Sequence, residues 1–329
     1  MGDVKAEMNP DARNQDAAII DVGRWEVIQV GGAERLTFLH RLLTASLDGL
    51  QPGQGRRALL LTAKAQIVTE FIVCARAEDV LLLVPPGQGE VATAALSRYA
   101  IMDDVTFSLM SDRELIAICG ADAAAALAAA GLSLSPHVCS GAPLSHAESD
   151  TVGLLTIRVP GYGSDGYWIV GQPAAITDLA GRLEAGGVPR LAAEVAEARR
   201  ILAGEPKFGA EITGEVFPME VALDPLIDYT KGCYLGQEPI VRIRDRGHVN
   251  WRLVGLRIVD PGPIAAGDRL ESDSKPKAGR ITSVATVTGQ PRVALALVHV
   301  SLPVGSQVRV LHETSVVPAE VVELPPPAR

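Results

Sequence analysis

The sequence predicts an α+β protein, two similar α/β halves followed by a small closed β-barrel. Three observations lead there. Apolar runs at 58–62, 67–74 and 79–84, rich in Leu, Ile and Val and separated by turn-like residues, read as a three-stranded antiparallel piece with helical segments on either side. The alternation of strand and helix starts again near residue 113. Past Trp251 the texture changes to five or six short β-like runs broken by Pro261-Gly262, Gly267, Gly289 and Gly305, a spacing that favours a barrel over half a sandwich.

Taken in order, residues 1–16 (MGDVKAEMNPDARNQD) are polar and read as a disordered lead, with structure beginning near Ala17. WEVIQV from Trp25 gives a strand. Gly31-Gly32 then leads into AERLTFLHRLLTA, where Leu36, Leu39, Leu42 and Leu43 recur at helical spacing. After the three apolar runs come a helix over about 89–99 and a strand over 105–109. The second half offers a strand at 114–119, an Ala-rich helix at 121–130, strands at 154–159 and 166–170, and a helix at 173–185 opened by Pro173 and closed by Gly186-Gly187. A helix over 190–203 follows Pro189 and stops at Gly204, before Pro206. The barrel runs lie at 252–259, 278–287, 293–300, 307–312 and 316–322. The parts expected are therefore 17–112, 113–247 and 248–324, with a Pro-rich tail over 325–329.

Composition narrows the function. With 30 Lys and Arg against 39 Asp and Glu, and a net charge of −9, the chain lacks the broad basic surface that phosphate neutralisation requires, so direct nucleic-acid binding is not expected. No apolar stretch reaches the length of a membrane span or a signal peptide, and Cys74, Cys119, Cys139 and Cys233 show no CxxC spacing. A cytoplasmic protein without a disulfide framework or a metal site is the expectation. GxGxxG after a strand, the Walker loop and GxSxG are all absent.

The informative segment is 228–247, DYTKGCYLGQEPIVRIRDRG. It joins Cys233, between Gly232 and Tyr234, to Arg242, Arg244 and Arg246, a local positive field in an acidic chain. A thiolate is favoured beside cations or at a helix N-terminus. Pro239 suits the first turn of a helix and Gly247 its end, which sets Arg242 and Arg246 one turn apart. If the segment is a strand, all three arginines share a face. Gly236 permits close backbone approach, and Gln237 with Glu238 offers groups able to grip a nitrogen heterocycle. Glu70, at the end of a strand-like run, is a candidate general base or pterin anchor, and Trp25 a candidate stacking surface. For any one of these residues a purely structural role is the simpler reading. The compact set is what points to function.

KGCYLGQE from Lys231 to Glu238, followed by VRIRDRG, resembles the signature of the YgfZ group, folate-binding proteins related to the T-protein (aminomethyltransferase) of the glycine cleavage system. The likeness extends through VGGAERLTFLHRLLTASLDGL, LTAKAQIVTEFIV, LSRYAIMDDV, RRILAGEPKFGAEITGEVFPMEVALD and AGRITSVA. It implies two ferredoxin-like α/β pieces around a central tetrahydrofolate cleft, a C-terminal barrel, and a role in assembling or maintaining iron–sulfur clusters, in bacterial relatives extending to tRNA-modifying iron–sulfur enzymes. Iron–sulfur client or assembly proteins would be the partners. Lys231, Cys233 and Glu70 become the candidate catalytic residues. Trp25, Tyr234, Gly236, Gln237, Glu238, Arg242 and Arg246 become the candidate folate-binding residues.

The chain departs from the group's pattern at four places. The Asp-Asp pair of the T-proteins reads Thr69-Glu70, a second folate-associated tryptophan corresponds to Ala196, RIEAG reads Arg200, Ile201, Leu202, Ala203, Gly204, and a turn that usually holds Gly and a basic residue reads Ala65-Gln66. The leading expectation is tetrahydrofolate in the central cleft, its carboxylates drawn by the arginines, with Cys233 facing the same space. One cysteine cannot hold a cluster alone, so any cluster contact is shared or transient. The alternatives are folate-dependent aminomethyl transfer, with Glu70 as base, and a non-catalytic folate-sensing scaffold.

Overall fold

The computed structural model describes residues 16–140, 142–149, 153–258, 260, 262–286 and 292–324. The expected lead, apart from Asp16, and the tail at 325–329 lie outside the described residues. The first sheet is built from β2 (Glu26–Gly31), β3 (Gly55–Leu61), β4 (Ile67–Ala75), β5 (Val80–Val84) and β6 (Thr106–Met110), following β1 (Ala18–Ile20) in the chain; α1 (Arg35–Leu42) and α2 (Gly89–Ser97) connect its strands. Its order is β3-β4-β5-β2-β6, antiparallel throughout. One face packs Ile28, Val30, Leu60, Phe71, Val73 and Leu82 against Phe38, Leu39 and Leu42 of α1 and Leu96 of α2.

The second sheet uses β7 (Glu114–Cys119), β8 (His146–Glu148), β9 (Leu155–Arg158) and β10 (Gly166–Gly171), with α3 (Ala123–Ala129), α4 (Pro136–Ser140) and α5 (Pro173–Ala185) in the connections. Its order is β8-β9-β10-β7-β1. Four of the five strand places recur in the same chain order in both sheets, which is the duplication read from the sequence; the fifth is held by β6 in the first and by β1, from the start of the chain, in the second. Ala18–Ile20, read there as the start of the first part, hydrogen-bonds to β7 of the second. The remaining faces of the two sheets meet each other: Val27, Ile72, Leu81 and Leu83 pack against Ala117, Leu155, Ile157, Trp168 and Val170. Helices cover the outer face of the second sheet as they do the first. Strands buried on both faces are apolar nearly throughout, which is why β5 is wholly apolar and β4 is interrupted only by Thr69 and Glu70.

After α6 (Ala193–Leu202) an irregular connector with two 3-10 turns, Pro218–Val221 and Asp224–Leu226, leads to α7 (Gln237–Arg246). Its Ile212, Val221, Leu223 and Tyr234 fill a core between Leu59, Leu61 and Ile67 of the first sheet and Leu297. Strands β11 (Trp251–Ile258), β12 (Arg269–Ser272), β13 (Lys275–Ala285), β14 (Arg292–His299), β15 (Gln307–His312) and β16 (Ser315–Val322) close a barrel in the order β11-β14-β13-β12-β15-β16. The short β1, β8, β12 and α4 carry too few residues for a periodic signal and were not expected. Among the described residues no helix is long and apolar enough to cross a membrane.

Candidate functional site

Where the two sheets, α6, the connector and the edge of β13 converge, they enclose a cavity of about 1670 Å³. Its apolar wall includes Trp25, just before β2, and Trp168 of β10, with ring centroids 4.8 Å apart and planes at 68°. Trp25 is half-buried and partly available to a third aromatic group, while Trp168 is buried, at 9% exposure, against it. Tyr162 and Phe208 extend the aromatic lining, and Ala196 of α6 contributes a small side chain where the resemblance places a tryptophan.

Charged groups reach the cavity from β3, β4, α6, the connector and the segment before β2. Glu70 and Ile72 alternate on β4, so both face the second sheet, and Glu70 Oε2 accepts a hydrogen bond from Arg57 Nη2 at 2.8 Å. Glu205 follows α6, and Gly163 donates its N–H to Oε1 at 3.3 Å. Burial pushes this carboxyl above its ordinary value, although Arg57 and Arg200 pull the other way. The loop that receives it, Tyr162-Gly163, takes two successive left-handed conformations, φ +56 and +76, the first of them in a non-glycine residue. Arg200 fixes the main chain of Glu205. Its buried guanidinium donates to the Glu205 carbonyl oxygen, to Glu197 Oε1 at 2.7 Å, to Glu211 Oε2 at 3.1 Å and to Ser283 Oγ at 2.6 Å on β13. Cys119 also lines the cavity, its thiol pushed up by burial.

Of the residues singled out in the sequence, Trp25 and Glu70 stand at this cavity. Lys231, Cys233, Tyr234, Gly236, Gln237, Glu238, Arg242 and Arg246 do not line it. They gather at α1 and the β3–β4 turn. Lys231 Nζ donates to the carbonyls of Leu43 at 2.7 Å, Ala45 at 3.0 Å and His40, closing the C-terminal end of α1. Burial lowers this ammonium to about 8. Asp228 stabilises the approach by accepting from the N–H groups of Thr230 at 2.8 Å and Lys231 at 3.1 Å.

Tyr234 is buried in the connector core, and burial pushes its hydroxyl up to about 12. Gly236 caps α7 at φ +82, and a Cβ there would stand 2.5 Å from Thr62 O and 3.0 Å from the Leu61 Cβ. That contact requires glycine. The neighbouring Ala65 is itself at φ +64, where the resemblance leads one to expect glycine. On α7 only Ile240 is buried; Glu238, Arg242 and Arg246 face solvent, and Arg244 lies over the Tyr229 ring at 4.5 Å. Cys233 is exposed. The expectation that Arg242 and Arg246 reach ligand carboxylates in the cleft therefore has no geometric counterpart, because Lys231 ties the segment to the end of α1, Gly236 turns it against Thr62, and α7 buries Ile240 while leaving both arginines exposed. The cations at the cavity are Arg57, Arg200 and Lys207. Glu205 and Cys119 were not singled out from the sequence. The only signal for Glu205 was a carboxylate directly after the RILAG string that lacks one.

Comparison with known proteins agrees with this architecture. A family model described as the GCVT N-terminal domain matches residues 4–231. The chain is 26% identical over 279 residues to an Arabidopsis thaliana protein named as a chloroplastic transferase, covering 83% of this chain and 63% of that relative, so it spans less than two thirds of that relative's length. It is 25% identical over 255 residues to the tRNA-modifying protein YgfZ of Sodalis glossinidius, covering 77% of this chain and 75% of the relative. The crystal structure of glycine cleavage system aminomethyltransferase T from Bartonella henselae superposes with a TM-score of 0.85 at 24% identity, over 95% of this chain and 87% of that one, a likeness of fold. With a family model matched over more than half of its length, the chain belongs to the GCVT N-terminal domain family, in line with the resemblance carried by the KGCYLGQE string and the stretches before it.

Proposed function

We propose that this chain binds tetrahydrofolate in the central cavity and acts, as a YgfZ-type protein, in the assembly or maintenance of iron–sulfur clusters. The observation that carries the folate reading is the juxtaposition of Trp25, Trp168, Glu70 with Arg57, and the cradled Glu205 around a single cavity of about 1670 Å³. Cavities for drug-sized ligands span roughly 300 to 1,000 Å³, so a folate fits with room to spare. A pterin is flat and aromatic and carries an amidine-like edge of N–H donors. The tryptophans suit its faces and a buried carboxylate suits its edge. Arg57 and Lys207 supply positive charge for the glutamate carboxylates. When bound, tetrahydrofolate would supply a carrier for one-carbon units. The residues of this chain bind and orient it.

The iron–sulfur reading rests on the KGCYLGQE likeness and on the exposure of Cys233. Among the described residues no group of three His, Cys, Asp or Glu side chains is placed to hold a metal ion, so a cluster contact through Cys233 would be shared with a partner protein. Aminomethyl transfer remains the second reading, favoured by one observation: Glu70 keeps a buried carboxylate at the cavity, held by Arg57. Titration with tetrahydrofolate, followed by tryptophan fluorescence corrected for ligand absorbance and compared with Trp25→Ala, tests the first reading. Saturable quenching supports it, and an unchanged signal up to millimolar ligand rejects it. Turnover of a methylene-type folate with an amine donor, lost in Glu70→Ala while binding persists, would favour the second.

A further inference from the structure

β10 is the central strand of the second sheet, so Trp168 has a strand on either side and meets only what covers the face between the two sheets. Its neighbours there are apolar: Ala117 and Ile157 stand opposite it on the flanking strands, Ile72 packs from the first sheet, and Trp25 lies edge-on. The residue is 9% exposed. Its one polar atom, Nε1, has no acceptor among the described residues, and its neighbours do not seal it from solvent. The opening it reaches is the cavity that Trp168 lines. A buried N–H in an apolar wall takes its acceptor from whatever enters that space.

We propose that Trp168 is a specificity-determining residue, donating from Nε1 to the ring carbonyl of the ligand's flat head, so that the cavity selects a 4-oxo pterin over its 4-amino counterpart. This rests on the folate reading above. The edge of a 4-oxo pterin carries both kinds of group: its amino and ring N–H groups donate, and its carbonyl oxygen accepts. The carboxylates of Glu70 and Glu205 serve the donors and cannot serve the oxygen. Trp168 supplies the complementary donor from the opposite sheet. A 4-amino head replaces the oxygen with an N–H donor, which sets two donors face to face and leaves Nε1 without a partner. Leaving a buried polar group unpaired is how a site rejects an analogue of nearly the same shape. A tryptophan that only filled the core beside Trp25 would make no such distinction.

The chain holds three tryptophans, Trp25, Trp168 and Trp251, so the isotope-labelled full chain gives three indole N–H signals by NMR; Trp25→Phe and Trp251→Phe each remove one and assign the third to Trp168. The probes are tetrahydrofolate and its 4-amino analogue, tetrahydroaminopterin. Tetrahydrofolate should move the Trp168 signal downfield, as a new hydrogen bond does, and bind wild type roughly tenfold or more tighter than the analogue. In Trp168→Phe, which keeps an aromatic ring in the core, the two heads should bind within about twofold of each other. Should that variant unfold, the indole signal and the two ligands on wild type decide. An indole signal that stays put or moves equally with both ligands, equal affinities in wild type, or a preference that persists in Trp168→Phe would each overturn the role of Trp168 while folate binding stands. Binding of neither ligand to wild type would overturn the folate reading, and this assignment with it.

Discussion

At the scale of single residues, two side chains decide the chemistry of the cavity. Trp25 offers an aromatic face whose loss in Trp25→Ala removes stacking of about 0.5 to 1.5 kcal/mol together with buried area, so tetrahydrofolate should bind roughly tenfold more weakly by calorimetry. Glu205 makes a prediction about pH. Burial raises its folded-state pKa above the ordinary 4.5, so between 4.5 and the raised value the folded chain keeps a proton that the unfolded chain has lost. The stabilising contribution of this group is thus complete below 4.5 and declines as pH rises through the folded value. A ligand that needs the ionised carboxylate has the opposite slope. Tetrahydrofolate affinity should fall on acidification, beginning above pH 4.5, and Glu205→Gln should both weaken binding and remove that slope. A parallel pH profile in the variant would exclude Glu205 from the ligand. Glu205 was hard to see in the sequence because its environment is made by distant pieces: the 161–163 loop, Arg57 and the Arg200 network. Trp25 and Glu70 were visible because a polar or aromatic residue beside an apolar strand stands out locally.

At the scale of elements, the signature segment is first a structural joint. Lys231 satisfies three carbonyls at the end of α1, and its replacement by alanine should cost about 2 to 3 kcal/mol, read as a lowered urea midpoint, while the affinity of the cavity for tetrahydrofolate stays within twofold of wild type. A large loss of affinity at unchanged stability would make Lys231 a ligand residue instead. The helix at 173–185 was legible to the residue, since Pro173 and Gly186 mark its ends. For 239–246 the sequence left helix and strand open; Gly236 decides for the helix by turning the chain against Thr62. Periodicity could also not tell which side of the molecule α7 would face. That depends on the reach of Lys231 to α1, nearly two hundred residues earlier in the chain.

At the scale of the whole molecule, a buried ionic network joins the α/β body to the barrel. Arg200 is 4% exposed and Glu211 is fully buried; Ser283 of β13 bonds both, accepting from Arg200 and donating to Glu211 Oε1 at 2.7 Å. Removing one partner of such a set leaves an uncompensated buried charge, so Arg200→Met should cost about 3 to 5 kcal/mol and speed hydrogen exchange in β13 and α6 ahead of the two sheets. Uniform acceleration everywhere would mean that the network does not hold the barrel in particular. The duplicated α/β plan and the closed barrel were legible because long strands and helices repeat in order. The pairing of β1 with β7 was not, because a three-residue strand carries no pattern and its partner lies about a hundred residues away.

The division of labour between the cavity and the signature face is most directly tested by calorimetric titration of tetrahydrofolate into wild type, Trp25→Ala, Glu205→Gln and the double variant Arg242→Ala/Arg246→Ala. Affinity should fall in the two cavity variants and match wild type in the arginine double variant. Full affinity in both cavity variants, with loss confined to the arginine variant, would place the ligand on α7 and contradict the assignment of the cavity.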